Sequence, residues 1–312
     1  MNAILRAIDV NKYYASHQAL KDVSVDIPEG AVYGLLGPNG AGKTSLIRII
    51  NQITGPDSGQ ILFKGQPLKG DHTREIGYLP EERGLYKKME VGEQALYLAQ
   101  LKGLSRKEAI EKLKYWFEKF EIKAWWTKKV EELSKGMQQK IQFIVTVVHE
   151  PRLLILDEPF TGFDPINANL IKEELLELKA KGTTIVLSTH RMESVEELCT
   201  HIALINKSVK LLEGSVKDIR KSFRSNLYEI EYEGNNMGLA NSLWGGFDLV
   251  ENEAYGDHLK AKIRVTEGFN TNQLLQGLIN NVNIVSFKEV IPSMTDIFIQ
   301  TVSEPSTTSI HE

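Results

Sequence analysis

Three things are scarce in this chain of 312 residues: cysteine, long apolar runs and any large surplus of one charge. The single cysteine, Cys199, excludes an internal disulfide and suits a reducing compartment. In Glu196-Glu197-Leu198-Cys199-Thr200 it is expected to be a buried structural thiol rather than a reactive one. The most apolar stretches, Ile141 to Val148 and Leu153 to Leu156, fall well short of the roughly 20 residues that cross a bilayer. Any membrane-embedded part is therefore expected on another chain. The opening Met1-Asn2-Ala3-Ile4-Leu5-Arg6 lacks the charged-then-apolar layout of a signal peptide. A net charge of −4 gives no bulk attraction to nucleic acid or anionic lipid. The short basic clusters around Lys128-Lys129 and Lys207 to Lys210 read as solvated faces. What remains, 42% hydrophobic and 25% charged, is the make-up of a soluble globular protein with one large domain or two ordinary ones.

Along the chain the periodicity changes several times. Val23, Val25 and Ile27 alternate with Asp22, Ser24 and Asp26, the period of a half-buried strand, and residues 3 to 33 read as strands. Ala31-Val32-Tyr33-Gly34-Leu35-Leu36 reads as a buried strand, and Leu46-Ile47-Arg48-Ile49-Ile50 as the first turns of a helix. Thr54 to Gly59 breaks the chain, and short strands follow through Leu79. From about Lys87 to His149 the pattern is helical, with Ala109, Ile110, Leu113, Trp116, Phe117 and Phe120 as a core stripe. Leu153 to Leu156, Leu170 to Lys181 and Thr184 to Leu187 read as strand, helix, strand, which predicts a parallel sheet covered on both faces. Lys217 to Ser225 reads as a polar linker. Beyond it the rhythm is roughly β-α-β-β-α-β-α, compatible with a ferredoxin-like split unit. Ser303 to Glu312 reads as a disordered tail.

What the chain does have is Gly37-Pro38-Asn39-Gly40-Ala41-Gly42-Lys43-Thr44, followed by Ser45. The spacing is that of a loop whose backbone N–H groups cradle nucleotide phosphates. Lys43 is placed as a point charge for the β- and γ-phosphates, and the Thr44 hydroxyl as a Mg²⁺ ligand. Strand before and helix after put the triphosphate on a helix N-terminus. A second set of acids follows: Leu153-Leu154-Ile155-Leu156-Asp157-Glu158 is an apolar strand ending in two carboxylates. Asp157 is expected to hold Mg²⁺ opposite Thr44, and Glu158 to accept a proton from an attacking water.

At this point the sequence resembles the ATPase subunits of ATP-binding cassette (ABC) transporters over about residues 1 to 215. Leu133-Ser134-Lys135-Gly136-Met137-Gln138-Gln139-Lys140 looks like the family's signature motif. It reads as a helix N-terminus with Ser134 as cap and Gly136 allowing close phosphate approach. The resemblance implies that Ser134, Lys135, Gly136 and Met137 contact ATP held by a second subunit. It implies that Asp164, in Thr161-Gly162-Phe163-Asp164, couples the two sites, and that His190 contacts the γ-phosphate and attacking water. Tyr14 resembles the aromatic that stacks on adenine, with Tyr13 as the alternative ring and packing at a strand end as the structural reading. The sequence departs from the family at Glu81, where glutamine is usual, and at Lys135 and Met137, where glycine and glutamine are usual. A carboxylate at Glu81 can still ligate the metal, besides its place in the coupling loop, but adds negative charge beside the triphosphate. These departures bear on turnover rather than on nucleotide binding.

The implied fold is α/β: a P-loop NTPase core with a parallel sheet, an N-terminal antiparallel β subdomain and a helical subdomain at about 87–149. Together these make an ATPase domain over 1–221, followed by a small α+β domain over 222–303 and a tail over 304–312. The Tyr78 to Tyr86 run and the C-terminal extension look most like the bacterial sodium- and multidrug-type (ABC-2) exporter branch. That resemblance implies ATP hydrolysis with Mg²⁺, coupled to transport. The expected partners are a second ATPase subunit, identical or different, and a separate membrane permease, with no nucleic acid. The chain is then expected at the cytoplasmic face of the membrane. Two other readings are a soluble cassette ATPase acting on ribosome or DNA, and a regulatory module that holds nucleotide with little turnover.

Overall fold

The computed structural model describes residues 2–82 and 84–303. Strands β1 (Ala3–Tyr14) and β2 (His17–Pro28) form an antiparallel hairpin in which Val23, Val25 and Ile27 are buried and Asp22 and Asp26 exposed. Strand β3 (Val32–Leu36) is buried along its whole length, as a continuous apolar run between two covered faces should be. Helix α1 (Lys43–Ile50) follows at once. Strands β4 (Ser58–Phe63) and β5 (Gln66–Pro67) complete an antiparallel sheet in the order β2-β1-β4-β5. Next come strand β6 (Ile76–Leu79) and the helices α2 (Val91–Leu101), α3 (Arg106–Lys119) and α4 (Lys135–Val147). The aromatic stripe is the core of this helical part: the Trp116 and Phe120 rings lie 6.1 and 6.0 Å from Phe143 of α4.

The chain then runs through β7 (Leu153–Asp157), α5 (Pro165–Ala180), β8 (Thr184–Thr189), α6 (Met192–Leu198), β9 (His201–Asn206) and β10 (Val209–Ser215). The central sheet has the order β10-β9-β3-β8-β7-β6, parallel from β9 to β6, with β10 antiparallel at one edge. Cys199 packs under β3: a Cβ on Gly34 would sit 3.1 Å from its Sγ. Burial pushes the thiol up to about 12, which keeps it protonated and inert.

Residues up to Val216 form one compact unit and those from Lys217 onward a second. Helix α7 (Val216–Ser222) occupies most of the stretch read as a polar linker. Val216, Ile219 and Phe223 recur at helical spacing behind the basic residues, and Val216 and Ile219 are buried, so the segment is ordered by its apolar face. The second unit contains β11 (Leu227–Glu233), α8 (Asn236–Ser242), β12 (Phe247–Tyr255), β13 (His258–Val265), α9 (Thr271–Ile279), β14 (Asn283–Glu289) and α10 (Met294–Ser303). Its strands pair antiparallel in the order β12-β13-β11-β14, the split arrangement of a ferredoxin-like unit. Ile230, Tyr232, Leu239, Ala261, Ile263, Leu274 and Leu278 are its fully buried core. Ser303 closes α10, and residues 304–312, read as a tail, lie outside the described residues.

Two helix starts differ from the sequence reading. Helix α1 begins at Lys43, because the left-handed Gly42 caps it before the apolar periodicity starts. Helix α5 begins at Pro165 rather than Leu170, with Asp164 as N-cap and proline at the first turn.

His149, just beyond α4, gives a pH-dependent stability. Burial, reinforced by the charges of Lys102 and Lys112, pushes its imidazole down to about 4 from 6.5. Above pH 6.5 the ring is neutral folded and unfolded, so its full contribution is present. Between 6.5 and 4 only the unfolded chain takes up the proton, so stability falls as pH falls. The expected loss across that window is about 3 kcal/mol. Urea midpoints measured against pH should show it, and His149→Leu should flatten the curve there.

Candidate functional site

Parallel strands deliver their loops to one end of a sheet, and ligands in such sheets lie beyond the carboxyl ends of the strands. Here β3, β8 and β7 are adjacent and in register, with Leu36 opposite Thr189 and Ser188 opposite Asp157. The glycine-rich loop, His190 and the Asp157-Glu158 pair therefore emerge side by side. On the far side of β7, β6 ends level with it, Leu79 opposite Leu156, and releases the loop carrying Glu81. A cavity of about 370 Å³ opens there, lined by Tyr14, Asn39 to Ser45, Glu81, Asp157, Glu158 and His190. A larger cleft of about 780 Å³ is lined by Trp116, Arg152 and Lys181 among others and contains no residue of the glycine-rich loop.

The loop owes its path to glycine. Gly37 has φ +149°, and a Cβ there would meet the Ile205 carbonyl oxygen at 2.1 Å. Gly37→Ala should therefore lower stability by about 3 kcal/mol through backbone strain and overpacking. The expected result is a depressed thermal midpoint together with loss of nucleotide binding. Gly37 and Pro38 are not among the residues lining the cavity; their carbonyls instead hold Lys43. Its Nζ donates to Gly37 O at 2.7 Å and Pro38 O at 3.1 Å. Lys43 is only 7% exposed. Burial lowers its affinity for a proton, and the carboxylates of Glu158, Asp157 and Glu81 oppose that shift. The ammonium is thus held between a backbone cradle and an acidic wall.

Asp157 is 4% exposed at the end of β7. Burial raises its carboxyl above the usual range, as does neighbouring Glu158, while the Ser188 hydroxyl, Lys43 and Thr44 work against the shift. Thr44 Oγ1 donates to Asp157 Oδ2 at 3.4 Å. A buried carboxylate short of positive charge, facing a hydroxyl, fits a cation. No group of three or more His, Cys, Asp or Glu forms a cage for a metal among the described residues. A hydroxyl, one carboxylate and nearby Glu81 are the sparse oxygen set that suits Mg²⁺, which keeps waters and takes phosphate oxygens. The charge also reaches Tyr78, whose phenol is pushed up to about 12 by burial and by Asp157.

Glu158 follows with φ +49°, a left-handed conformation unusual for a long side chain. Its N–H donates to Ser188 O at 2.9 Å. His190 N–H donates to Glu158 Oε1 at 3.1 Å, and His190 Nδ1 lies 2.6 Å from the same oxygen. A carboxylate only accepts, so a neutral His190 ring carries its proton on Nδ1 and leaves Nε2 as the acceptor.

Of the two tyrosines, Tyr14 lines the cavity and Tyr13 does not. Lys12 Nζ lies 5.6 Å from the Tyr14 ring centroid, and His17 and Ala19 join the wall. The sequence offered no signal for the last two, because only the β1–β2 hairpin brings them there. Ser134 caps α4, accepting from Met137 N–H at 3.3 Å. Lys135, Gly136 and Met137 continue that first turn, and none of the four lines the cavity. Asp164 caps α5 by accepting from Asn167 N–H at 3.0 Å, and also lies outside the cavity. Two glutamines of α4 were not legible as site residues. Gln142 Nε2 donates to the carbonyls of Pro80 and Glu82, at 3.4 and 3.3 Å, on either side of Glu81. Gln139 donates to the Thr161 carbonyl in the loop after Glu158.

Comparison with known proteins agrees with this geometry. The ABC transporter family model matches residues 20–161, and that of the ATP-binding protein DrrA1-3-like C-terminal domain matches residues 214–302. The chain is 50% identical over 214 residues to an uncharacterized ABC transporter ATP-binding protein, YhaQ, of Bacillus subtilis, covering 69% of this chain and 72% of that one. It is 34% identical over 222 residues to Nod factor export ATP-binding protein I of Cupriavidus metallidurans, covering 70% and 73%. A solved ATP-binding subunit of an ABC transporter superposes with a TM-score of 0.66 at 32% identity, covering 70% of this chain and 93% of that one. The chain belongs to the ABC transporter family and is an ATP-binding subunit of such a transporter. No helix among the described residues is long and apolar enough to cross a membrane.

Proposed function

We propose that this chain hydrolyses ATP with Mg²⁺, as one half of a two-subunit motor, to drive an exporter whose permease is a separate polypeptide at the cytoplasmic face of the membrane. The observation that carries the reading is the convergence of Lys43, Thr44, Asp157, Glu158 and His190 at the ends of three adjacent parallel strands. Mg²⁺, when bound, neutralises charge on the β- and γ-phosphate oxygens; Thr44 and Asp157 would hold it, with Glu81 as a third donor. The N–H groups of the loop and of the first turn of α1 face the phosphates, and Lys43 adds its charge where negative charge gathers. Glu158 takes the proton of the attacking water while that oxygen bonds to the γ-phosphorus and ADP leaves. His190, steered by its Nδ1 contact, turns Nε2 toward the reacting groups. Tyr14 supplies an exposed ring for adenine.

A dimer follows from what the chain's own cavity leaves unused. Ser134, Lys135, Gly136 and Met137 stand apart from it, and a Cβ at Gly136 would meet nothing within 4 Å. Among the described residues no packing calls for glycine there, which is understandable if another subunit's nucleotide approaches. Asp164, at the cap of α5, would then lie along the same contact and couple the sites. Export rests on the name of the Cupriavidus relative.

The test is phosphate release from purified chain with Mg²⁺-ATP, alone and reconstituted with a co-expressed permease. Release per subunit that rises with protein concentration supports the two-subunit motor. Tight ATP binding with no release in either setting would favour the nucleotide-holding module, the outcome expected if Glu81, Lys135 and Met137 suppress turnover.

A further inference from the structure

We infer that Thr189 is a positioning residue that selects which lone pair of Glu158 receives the proton; this rests on Glu158 being the general base. Thr189 ends β8 and is 1% exposed. Arg191 N–H donates to its Oγ1 at 3.1 Å, which engages the oxygen as acceptor and leaves the hydroxyl proton for another partner. That partner is Glu158 Oε2, at 3.3 Å.

The two oxygens of the carboxylate are thereby unequal. Each carboxylate oxygen has two acceptor positions. Oε1 spends both on His190, one on the backbone N–H at 3.1 Å and one on Nδ1 at 2.6 Å. Among the described residues Oε2 spends one on the Thr189 hydroxyl and keeps one. The position left open is the acceptor for the water's proton, and its direction is fixed by where Thr189 holds Oε2. The backbone adds its own restraint, since Glu158 sits at φ +49° with its N–H on Ser188 O at 2.9 Å. Thr189 and His190 thus orient the Glu158 carboxylate, while Ser188 holds the backbone from which it springs. In the proton transfer, Oε2 gains the proton, the water oxygen bonds to phosphorus, and the bridging oxygen leaves with ADP. Thr189 keeps its own proton throughout and touches no reacting atom.

Valine has the shape of threonine without the donor, and its β-branch suits a buried strand. Thr189→Val should lower kcat for phosphate release about tenfold, the low end for a hydrogen bond to a charged group, with KM for ATP changed less than about twofold. Thr189→Ser restores the hydroxyl and should recover most of kcat. In a Glu158→Gln background, Thr189→Val should remove little further activity, because the group it orients is already gone. If valine does not yield folded protein, Thr189→Ala against Thr189→Ser gives the same comparison. An unchanged kcat in the valine or alanine variant, a loss that serine does not rescue, or an equal further loss on top of Glu158→Gln would each overturn the inference. Should Glu158→Gln itself turn over normally, the base assignment fails instead, and the two failures are told apart by that single variant.

Discussion

Glu158→Gln should reduce phosphate release by about 10²- to 10⁴-fold, the range that a positioned general base contributes, while ATP affinity changes less than about twofold. The substitution preserves shape, and its single amide oxygen can take the place either of Oε1, which accepts from His190 N–H, or of Oε2, which accepts from Thr189. It removes the basic oxygen that takes the proton. Binding is spared because the groups facing the phosphates are others: the loop N–H groups, Lys43 and Thr44. Substitution of Glu158 also lightens the negative wall opposite Lys43, where three carboxylates act on one ammonium, so a modest tightening of ATP binding is the expected sign of any change. A variant that binds and does not turn over should also hold two subunits together, visible as a dimer by size-exclusion chromatography in Mg²⁺-ATP. Steady-state hydrolysis at the rate of the unmodified chain would remove Glu158 from the role of base.

Lys43→Ala should act one step earlier and weaken ATP binding itself. A hydrogen bond to a charged group contributes up to about 3 kcal/mol, which corresponds to roughly 100-fold in affinity. The side chain is buried and its Nζ is shared between two loop carbonyls, so its loss also removes that donor from Gly37 O and leaves Pro38 O with the Ala41 N–H alone. The loop is expected to loosen where it turns around the phosphates. Titration with a fluorescent ATP analogue reads the affinity, and a thermal melt without nucleotide reads the cost to the fold. Unchanged affinity would argue against the phosphate-loop assignment as a whole.

The contrast between these two variants shows what the sequence could and could not disclose. The glycine-lysine loop and the strand ending in Asp157-Glu158 were readable because each is local, a few residues whose spacing already implies its shape. That Thr44 and Asp157 face each other was expected only from their shared suitability for Mg²⁺, since 113 residues separate them. Only the strand order, with β8 inserted between β3 and β7, makes the contact physical. Thr189 was invisible for the same reason: its partner sits on the adjacent strand, and a threonine ending a β-branched run looks like ordinary strand composition. Tyr13 and Tyr14 could not be ranked because the choice depends on the path of the first hairpin. The supposed linker after Val216 misled through its basic residues, which sit beside the apolar positions that make it a helix. The C-terminal unit was legible in element order because hairpin alternation and helix spacing are short-range signals.

The end of strand β8 gives Glu158 three successive contacts: the Ser188 carbonyl to its backbone N–H, then the Thr189 hydroxyl and, just beyond the strand, the His190 N–H to its carboxylate. Side chains along a strand alternate, so a deletion or insertion of a single codon between Thr184 and Thr189 would exchange the inward and outward positions of all that follow. Such a change would conserve composition almost entirely and still turn the threonine hydroxyl away from its target. The tolerance of this gene to small indels should therefore dip sharply across that hexapeptide and recover toward the exposed turn at Lys181-Gly182, where a Cβ on Gly182 would have no neighbour within 4 Å.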